Sequence, residues 1–440
     1  MLLFLALLLN AILIVRPGEC IPGLQATPFY EVTLAAYLLL GFSVLLFEFS
    51  AAGRSTAPLT TLILAFSTVV VVSNAGRLRL DGAISGSVDY FRIAIYYLIL
   101  VGSIRTIQHI RLLLFTTTLC TVLVTSLAVL NFRGIVAIPA YAIVDEFGIR
   151  RMAASGLFGD PNELAALINQ GLIICFGFGL VRQRGTPLHK RLSWLAASGL
   201  LLHGLTLTAS RGGLLSLMAS ILVYLFARVG RRAILAAGLV LPLLIAAAGG
   251  RQLDFGGAMG SGTGRTRVEL WDAYLGHFRA NLLLGIGYGN SLNLESHVAH
   301  NSFISVFAEM GVTGGILFIG FFWLAFVLLR ACHRGIQQHA QYGPEAGMAP
   351  ESVRHARELS GLYPIVLALC VNYAIGLSSL SRQSALPTYF LLALVTIYYR
   401  ACLGVFMMDR VVIDSRIWTM MLCLSVTFLV VMSVYISRTL

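Results

Sequence analysis

Apolar runs recur along the whole chain, and their lengths constrain it more than any other feature. A helix needs about 20 apolar residues to cross the hydrocarbon core of a bilayer. Runs near that length fall at roughly 1–15, 29–49, 59–73, 92–104, 112–131, 164–181, 193–209, 212–227, 234–248, 312–330, 362–379, 388–404 and 417–436. Lipid offers no water to unpaired backbone groups, so only helices and closed barrels span it. A barrel would show alternating stretches of about 10 residues, and the chain has none. It reads as an all-α polytopic membrane protein of twelve or thirteen transmembrane helices, one integral membrane domain over residues 1–440. At 58% hydrophobic and 11% charged, it has no segment suited to a separate soluble domain. Membrane lipids are its surroundings, and no nucleic-acid partner is expected. The first run lacks a basic leader and a small-residue cleavage site, so it reads as a retained helix.

Short loops rich in Lys and Arg mark the cytoplasmic side. The segments "RQRGTPLHKRL" (182–192) and "RVGRR" (228–232) are the most basic. Alternating outward from them places 132–163 and 249–311 on the outer side and 331–361 in the cytoplasm. The 249–311 segment is a large outer loop with short helices, and the Gly/Pro-broken 331–361 reads as a polar loop. An excess of Arg nevertheless falls outside, including Arg77, Arg151, Arg211, Arg265, Arg267 and Arg382. Headgroup contact or ion pairing accounts for most of them, yet such a cluster also suits a polyanion held at the membrane surface.

Four stretches carry polar chemistry. In "FGDPNELAAL" (158–167), Asp160 reads as an N-cap, Pro161 as the first helical residue and Glu163 as the return partner of a capping box. In "TASRGGLL" (208–215) two helices meet across so few residues that Arg211 is pinned at the outer mouth, as a snorkelling anchor or an anion clamp. Helical rise sets Asn169, His203 and Asn372 at a common depth of about 10 Å below that mouth, as around a water-filled cavity. In "GSGTGRTRVELWDAYLGHF" (260–278), Arg265, Glu269 and Asp272 share one face, and Arg267, Trp271, Tyr274 and Phe278 another. Arg265 either pairs with Glu269 on an amphipathic helix or binds phosphate near the helix N-terminus. "GIGYGN" (285–290) has no preceding strand and reads as a turn.

The fourth stretch is "AHNSFISVFAEMGVTGG" (299–315). His300 and Glu309 are nine residues apart, about 900° of helix, and so lie on opposite faces. Gly311, Gly314 and Gly315 put any bend after Glu309. His300 therefore stands alone at a loop-to-helix junction on the outer side. A ring that titrates near neutrality can take a proton from a hydroxyl there. The seven Cys show no CxxC or metal spacing, and the outer loops hold no DxD or HExxH. No metal and no cofactor are expected.

Taken together, "DPN" (160–162), "SRGG" (210–213), "GRTRVELW…GIGYGN" (264–290) and "HNSFISVFAEMGVTGG" (300–315) resemble the O-antigen ligase and polymerase superfamily. The likeness runs from about residue 155 to 330 and is most specific in its last element. It implies a GT-C-type bundle of about twelve helices in the bacterial inner membrane. Such a bundle passes a glycan from undecaprenyl diphosphate to an acceptor hydroxyl on the periplasmic face. It also implies that Arg211 and Arg265 hold the diphosphate and that His300 is the base. Asn301, Glu309, Arg267, Asp160, Asn162 and His203 are then candidates for supporting the site or lining the acceptor cleft. The acceptor is lipid A-core for a ligase or a growing glycan for a polymerase, and the ligase is the first expectation. A lipid-linked glycan transporter fits less well, because transporters set ionisable groups near the midplane and show internal repeats.

Overall fold

The computed structural model describes residues 1–21, 23–25, 27–77, 80–146, 149–180, 187–247, 263–295, 297–342 and 350–440. Among them, 10 helices are long and apolar enough to cross a membrane. The chain is an all-α polytopic membrane protein. Three other apolar runs are also helical, Pro161–Leu180, Leu188–Thr208 and Ala233–Ala247, but fall short of that length and apolarity. Each carries polar residues or is short.

Two elements depart from the sequence reading. The expected cytoplasmic loop 331–361 is helical at both ends, since one helix runs Ser302–Tyr342 and the next Pro350–Gly376. Residues 343–349 lie outside the described residues. Hydropathy reports where lipid ends, not where a helix ends, and "RACHRGIQQHAQY" is rich in good helix formers. Past Gly311, 31 residues of helix extend about 46 Å, well beyond a hydrocarbon core. The second departure is a hairpin in segment 132–163, where β1 (Ile143–Glu146) pairs antiparallel with β2 (Ile149–Met152), Ile143 opposite Met152. Strands this short give a weak periodic signal beside apolar helices.

The chain forms two compact units. The first comprises Met1–Val44, Ser103–Leu253 and Tyr342–Gly376. Buried polar side chains tie its helices: Asn10 Nδ2 donates to Thr117 Oγ1 at 2.9 Å, and the Tyr373 hydroxyl to Gln170 Oε1 at 2.5 Å. Such ties, each about 0.6–2 kcal/mol, fix register where apolar faces alone would slide.

The second unit comprises Leu45–Gly102, Asp254–Gln341 and Leu377–Leu440. Its core is aromatic, with Phe303 edge-on to Phe318 and Phe322, and Phe307 stacked on Phe428. Helix Ser415–Thr439 buries Met421, Ser425 and Ile436 and leaves most of its surface exposed, as a lipid-facing helix would. Within the same unit Arg400 grips buried Glu48 in a two-pronged pair, Nη1 to Oε1 at 2.8 Å and Nη2 to Oε2 at 2.6 Å. Its remaining donors reach Thr56 Oγ1 and the Gly53 carbonyl, so this desolvated charge is fully satisfied.

Candidate active site

In the first unit the DPN and SRGG motifs are one hydrogen-bonded cluster. Asp160 caps helix Pro161–Leu180, accepting from the Asn162 and Glu163 N–H groups at 2.7 and 3.2 Å. The side chain of Asn162 is thereby free to face the neighbouring helix. Its Oδ1 accepts from Ser210 Oγ at 2.8 Å and from Arg151 Nη2 at 2.9 Å. Arg151 also donates to the Thr208 carbonyl at 3.0 Å. It is buried, not a surface cation as its place among the outer Arg suggested, and it locks β2 to the SRGG turn.

Ser210 caps the next helix, accepting from Gly213 N at 3.1 Å. Arg211 is the first residue of that helix, Arg211–Val229. The chain reaches it through Ala209 in a left-handed conformation (φ 48), which costs a non-glycine residue about 1–2 kcal/mol. Arg211 is half-buried and held at a helix N-terminus, where anions are favoured.

Asn169 lies below this turn. Its Nδ2 donates to the Gly213 carbonyl at 2.7 Å and Ser216 Oγ at 3.1 Å, and sits 3.5 Å from Asn372 Oδ1. It serves as an interhelical tie, and of the three residues set at one depth only Asn169 and Asn372 come together. His203 is exposed instead, its Nε2 3.4 Å from Arg133 Nη2. Helical rise cannot say which way a side chain points, and the His203 ring meets Arg133 instead of lining a cleft with Asn169.

In the second unit, helix Thr263–Ala280 carries Arg265 in its first turn. Arg265 Nε meets Glu269 Oε1 at 3.2 Å, with side chains 62% and 52% exposed. An exposed pair of this kind is worth about 0–1 kcal/mol, so Glu269 holds Arg265 only weakly. The Gly-rich approach at 260–262 lies outside the described residues. Arg267 is half-buried on the neighbouring face. That face also carries Trp271, Tyr274 and Phe278. Trp271 Nε1 donates to the Ala299 carbonyl at 2.7 Å and the Tyr274 hydroxyl to the His297 carbonyl at 3.1 Å. The aromatic stripe therefore holds the segment leading into His300.

His300 itself has φ 48, one of three non-glycine residues in the left-handed region among the described residues. Four hydrogen bonds staple its turn to segment 377–382. The His300 N–H donates to Ser381 Oγ (3.0 Å), Ser302 N–H to the Leu377 carbonyl (2.8 Å), Ser302 Oγ to the Leu380 carbonyl (2.6 Å) and Arg382 N–H to Ser302 Oγ (2.8 Å). Asn301 starts the helix, its Oδ1 accepting from the Phe303 and Ile304 N–H groups at 3.1 and 3.2 Å. The support from "SSLSRQS" (378–384) was missed in the sequence; a polar run squeezed between two apolar helices was the available signal. Arg382 is buried there, not displayed at the surface.

Glu309 is 2% exposed, and its Oε1 accepts from Ser291 Oγ at 2.5 Å. Two residues on, the helix breaks at Gly311 (φ 65, ψ −160). The break frees two carbonyls, and "GIGYGN" takes them: Ile286 N–H donates to Ala308 and Gly287 N–H to Glu309, both at 2.9 Å. In return Val312 N–H reaches the Leu282 carbonyl at 2.8 Å. A methyl group on Gly311 would lie 2.4 Å from the Leu283 carbonyl carbon, and one on Gly285 2.3 Å from that of Glu309. Gly311→Ala is expected to cost at least about 2 kcal/mol through its positive φ and this clash. Thermal unfolding should separate it from Gly276→Ala, where nothing lies within 4 Å. Equal melting of the two variants would contradict the strap.

Among the described residues, no three His, Cys, Asp or Glu side chains are grouped to hold a metal ion. Compared with known proteins, residues 196–319 match the family model Wzy_C, described as O-Antigen ligase. The match takes in the SRGG turn, Arg265, the "GIGYGN" strap, His300 and Glu309, and ends at residue 319 within the long helix. No curated protein matches the chain.

Proposed function

We propose that this chain, whose residues 196–319 match the O-Antigen ligase family model, is a membrane glycosyltransferase. It moves a glycan from undecaprenyl diphosphate to an acceptor hydroxyl on the periplasmic face of the bacterial inner membrane, with lipid A-core as the acceptor. The observation that carries this reading is the His300 turn. A titratable ring sits in a left-handed backbone conformation that four hydrogen bonds over-determine, and strain kept at such expense concentrates at functional sites.

In this mechanism His300 takes the proton of the acceptor hydroxyl. The hydroxyl oxygen bonds to the anomeric carbon while the bond from that carbon to the phosphate oxygen breaks. The diphosphate leaves with the electron pair, and Arg211 and Arg265 neutralise the charge that develops on it. Attack opposite the leaving group inverts the anomeric centre. Asp160 and Asn162 keep the Arg211 turn in place, and Asn301 does the same for His300. No step requires a metal ion.

The test is purified protein with undecaprenyl-diphosphate-linked glycan, lipid A-core and EDTA. A single transfer to lipid A-core with inverted linkage is expected. A ladder built on the glycan alone would make the protein a polymerase, and activity restored only by Mg²⁺ or Mn²⁺ would sink the mechanism. Sidedness is tested separately. A cysteine replacing exposed Leu294 should react with an impermeant thiol reagent from the periplasm, and reaction only after permeabilising the inner membrane would reverse the topology.

A further inference from the structure

The second unit encloses a cavity of about 470 Å³, within the range of small-ligand sites. Polar side chains recur along its wall, among apolar surface from residues such as Val298. Glu309, Gln383, Asn293, Tyr288 and Ser384 contribute carboxylate, amide and hydroxyl groups, and Asp89 stands with Asn293 at the exposed rim. No Lys, Arg or His lines it among the described residues. Burial pushes the Tyr288 and Tyr274 hydroxyls up from their ordinary range, so both stay neutral donors and acceptors. Asp89 pairs with Arg92 at 3.4 Å between exposed side chains, but no cation stands in the lining itself, so a phosphate or a sugar acid entering it would bury its charge without a partner, which is costly. The same groups match a ring of neutral hydroxyls, each of which donates once and accepts up to twice.

The cavity also adjoins the His300 turn. Ser381, which receives the His300 N–H, lines it, as does Val298 two residues before His300. We propose that this cavity binds an uncharged sugar ring of the acceptor, oriented to offer its hydroxyl to His300. Glu309 and Gln383 hold the ring, and a lining without a cation disfavours anionic sugars. This assignment rests on the glycan-transfer reading, and it divides the labour: sugar in the carboxylate-lined cavity, diphosphate on the arginines.

The test uses full-length protein in nanodiscs and saturation-transfer NMR with two probes, N-acetylglucosamine and glucuronic acid. The neutral sugar should give signal and glucuronic acid roughly tenfold less. Asn293→Trp, at an exposed position, should block the mouth and remove the neutral-sugar signal. Asp89→Arg, also exposed, should raise glucuronic acid binding towards that of the neutral sugar. Equal binding of both sugars to the unmodified protein, or a neutral-sugar signal untouched by Asn293→Trp, overturns the proposal. Because binding is read without donor, a failed transfer assay alongside intact, Asn293-sensitive sugar binding would strike the transfer reading and the acceptor role with it, and leave a neutral-sugar site in this cavity.

Discussion

His300→Ala is expected to slow turnover of bound donor by roughly 10²–10⁴, the range for loss of a general base. Donor affinity should stay near that of the unmodified protein, because the ring meets the acceptor proton and not the diphosphate. The backbone makes the experiment clean. The hydrogen bond that seats this turn on Ser381 comes from the His300 N–H, and Asn301 and Ser302 supply the rest. Alanine keeps all of these, though at φ 48 it fits somewhat less easily. A modest loss of stability with a large loss of turnover is the expected signature. Measuring donor affinity and single-turnover rate on the same preparation separates the two.

Arg211→Ala should weaken donor binding and slow turnover together, by about 2–5 kcal/mol for a charge-assisted contact stripped from a buried anion. Ser210 makes the cap and Asn162 anchors Ser210, so the helix start survives without the guanidinium. Lys at this position should restore only part of the activity, since one ammonium cannot reproduce the planar two-donor fork. The check is a donor titration of Arg211→Ala and Arg211→Lys against the unmodified protein. Full rescue by Lys would mean that Arg211 acts as a point charge or a membrane anchor and does not clamp a diphosphate.

Much of this architecture was legible because lipid imposes a simple rule: apolar length makes helices. Capping chemistry was equally readable, so Asp160 falls at the start of its helix and the bend after Glu309 falls at Gly311. Hydropathy failed where the helix continues past its apolar run, as beyond Arg330, and where a hairpin of four-residue strands interrupts the pattern. Rise along a helix says nothing of azimuth, and azimuth decides that His203 is exposed while Asn169 ties helices together. Partners distant in sequence were invisible as well. Nothing local in "DPN" announces that Asn162 will receive Ser210 and Arg151, and nothing in "HNS" names Ser381. Those contacts arise from tertiary packing, which no periodicity encodes.

His300 and Glu309 are the two proton-accepting side chains of the motif, and one comparison decides between them. His300→Ala and Glu309→Gln should be measured together for single-turnover transfer from pre-bound donor across a range of acceptor concentrations. If His300 is the base, His300→Ala remains slow at saturating acceptor, while Glu309→Gln needs more acceptor yet recovers most of its rate once saturated. A well-folded Glu309→Gln that stays dead at saturating acceptor, beside an active His300→Ala, would contradict the account and move the base to Glu309.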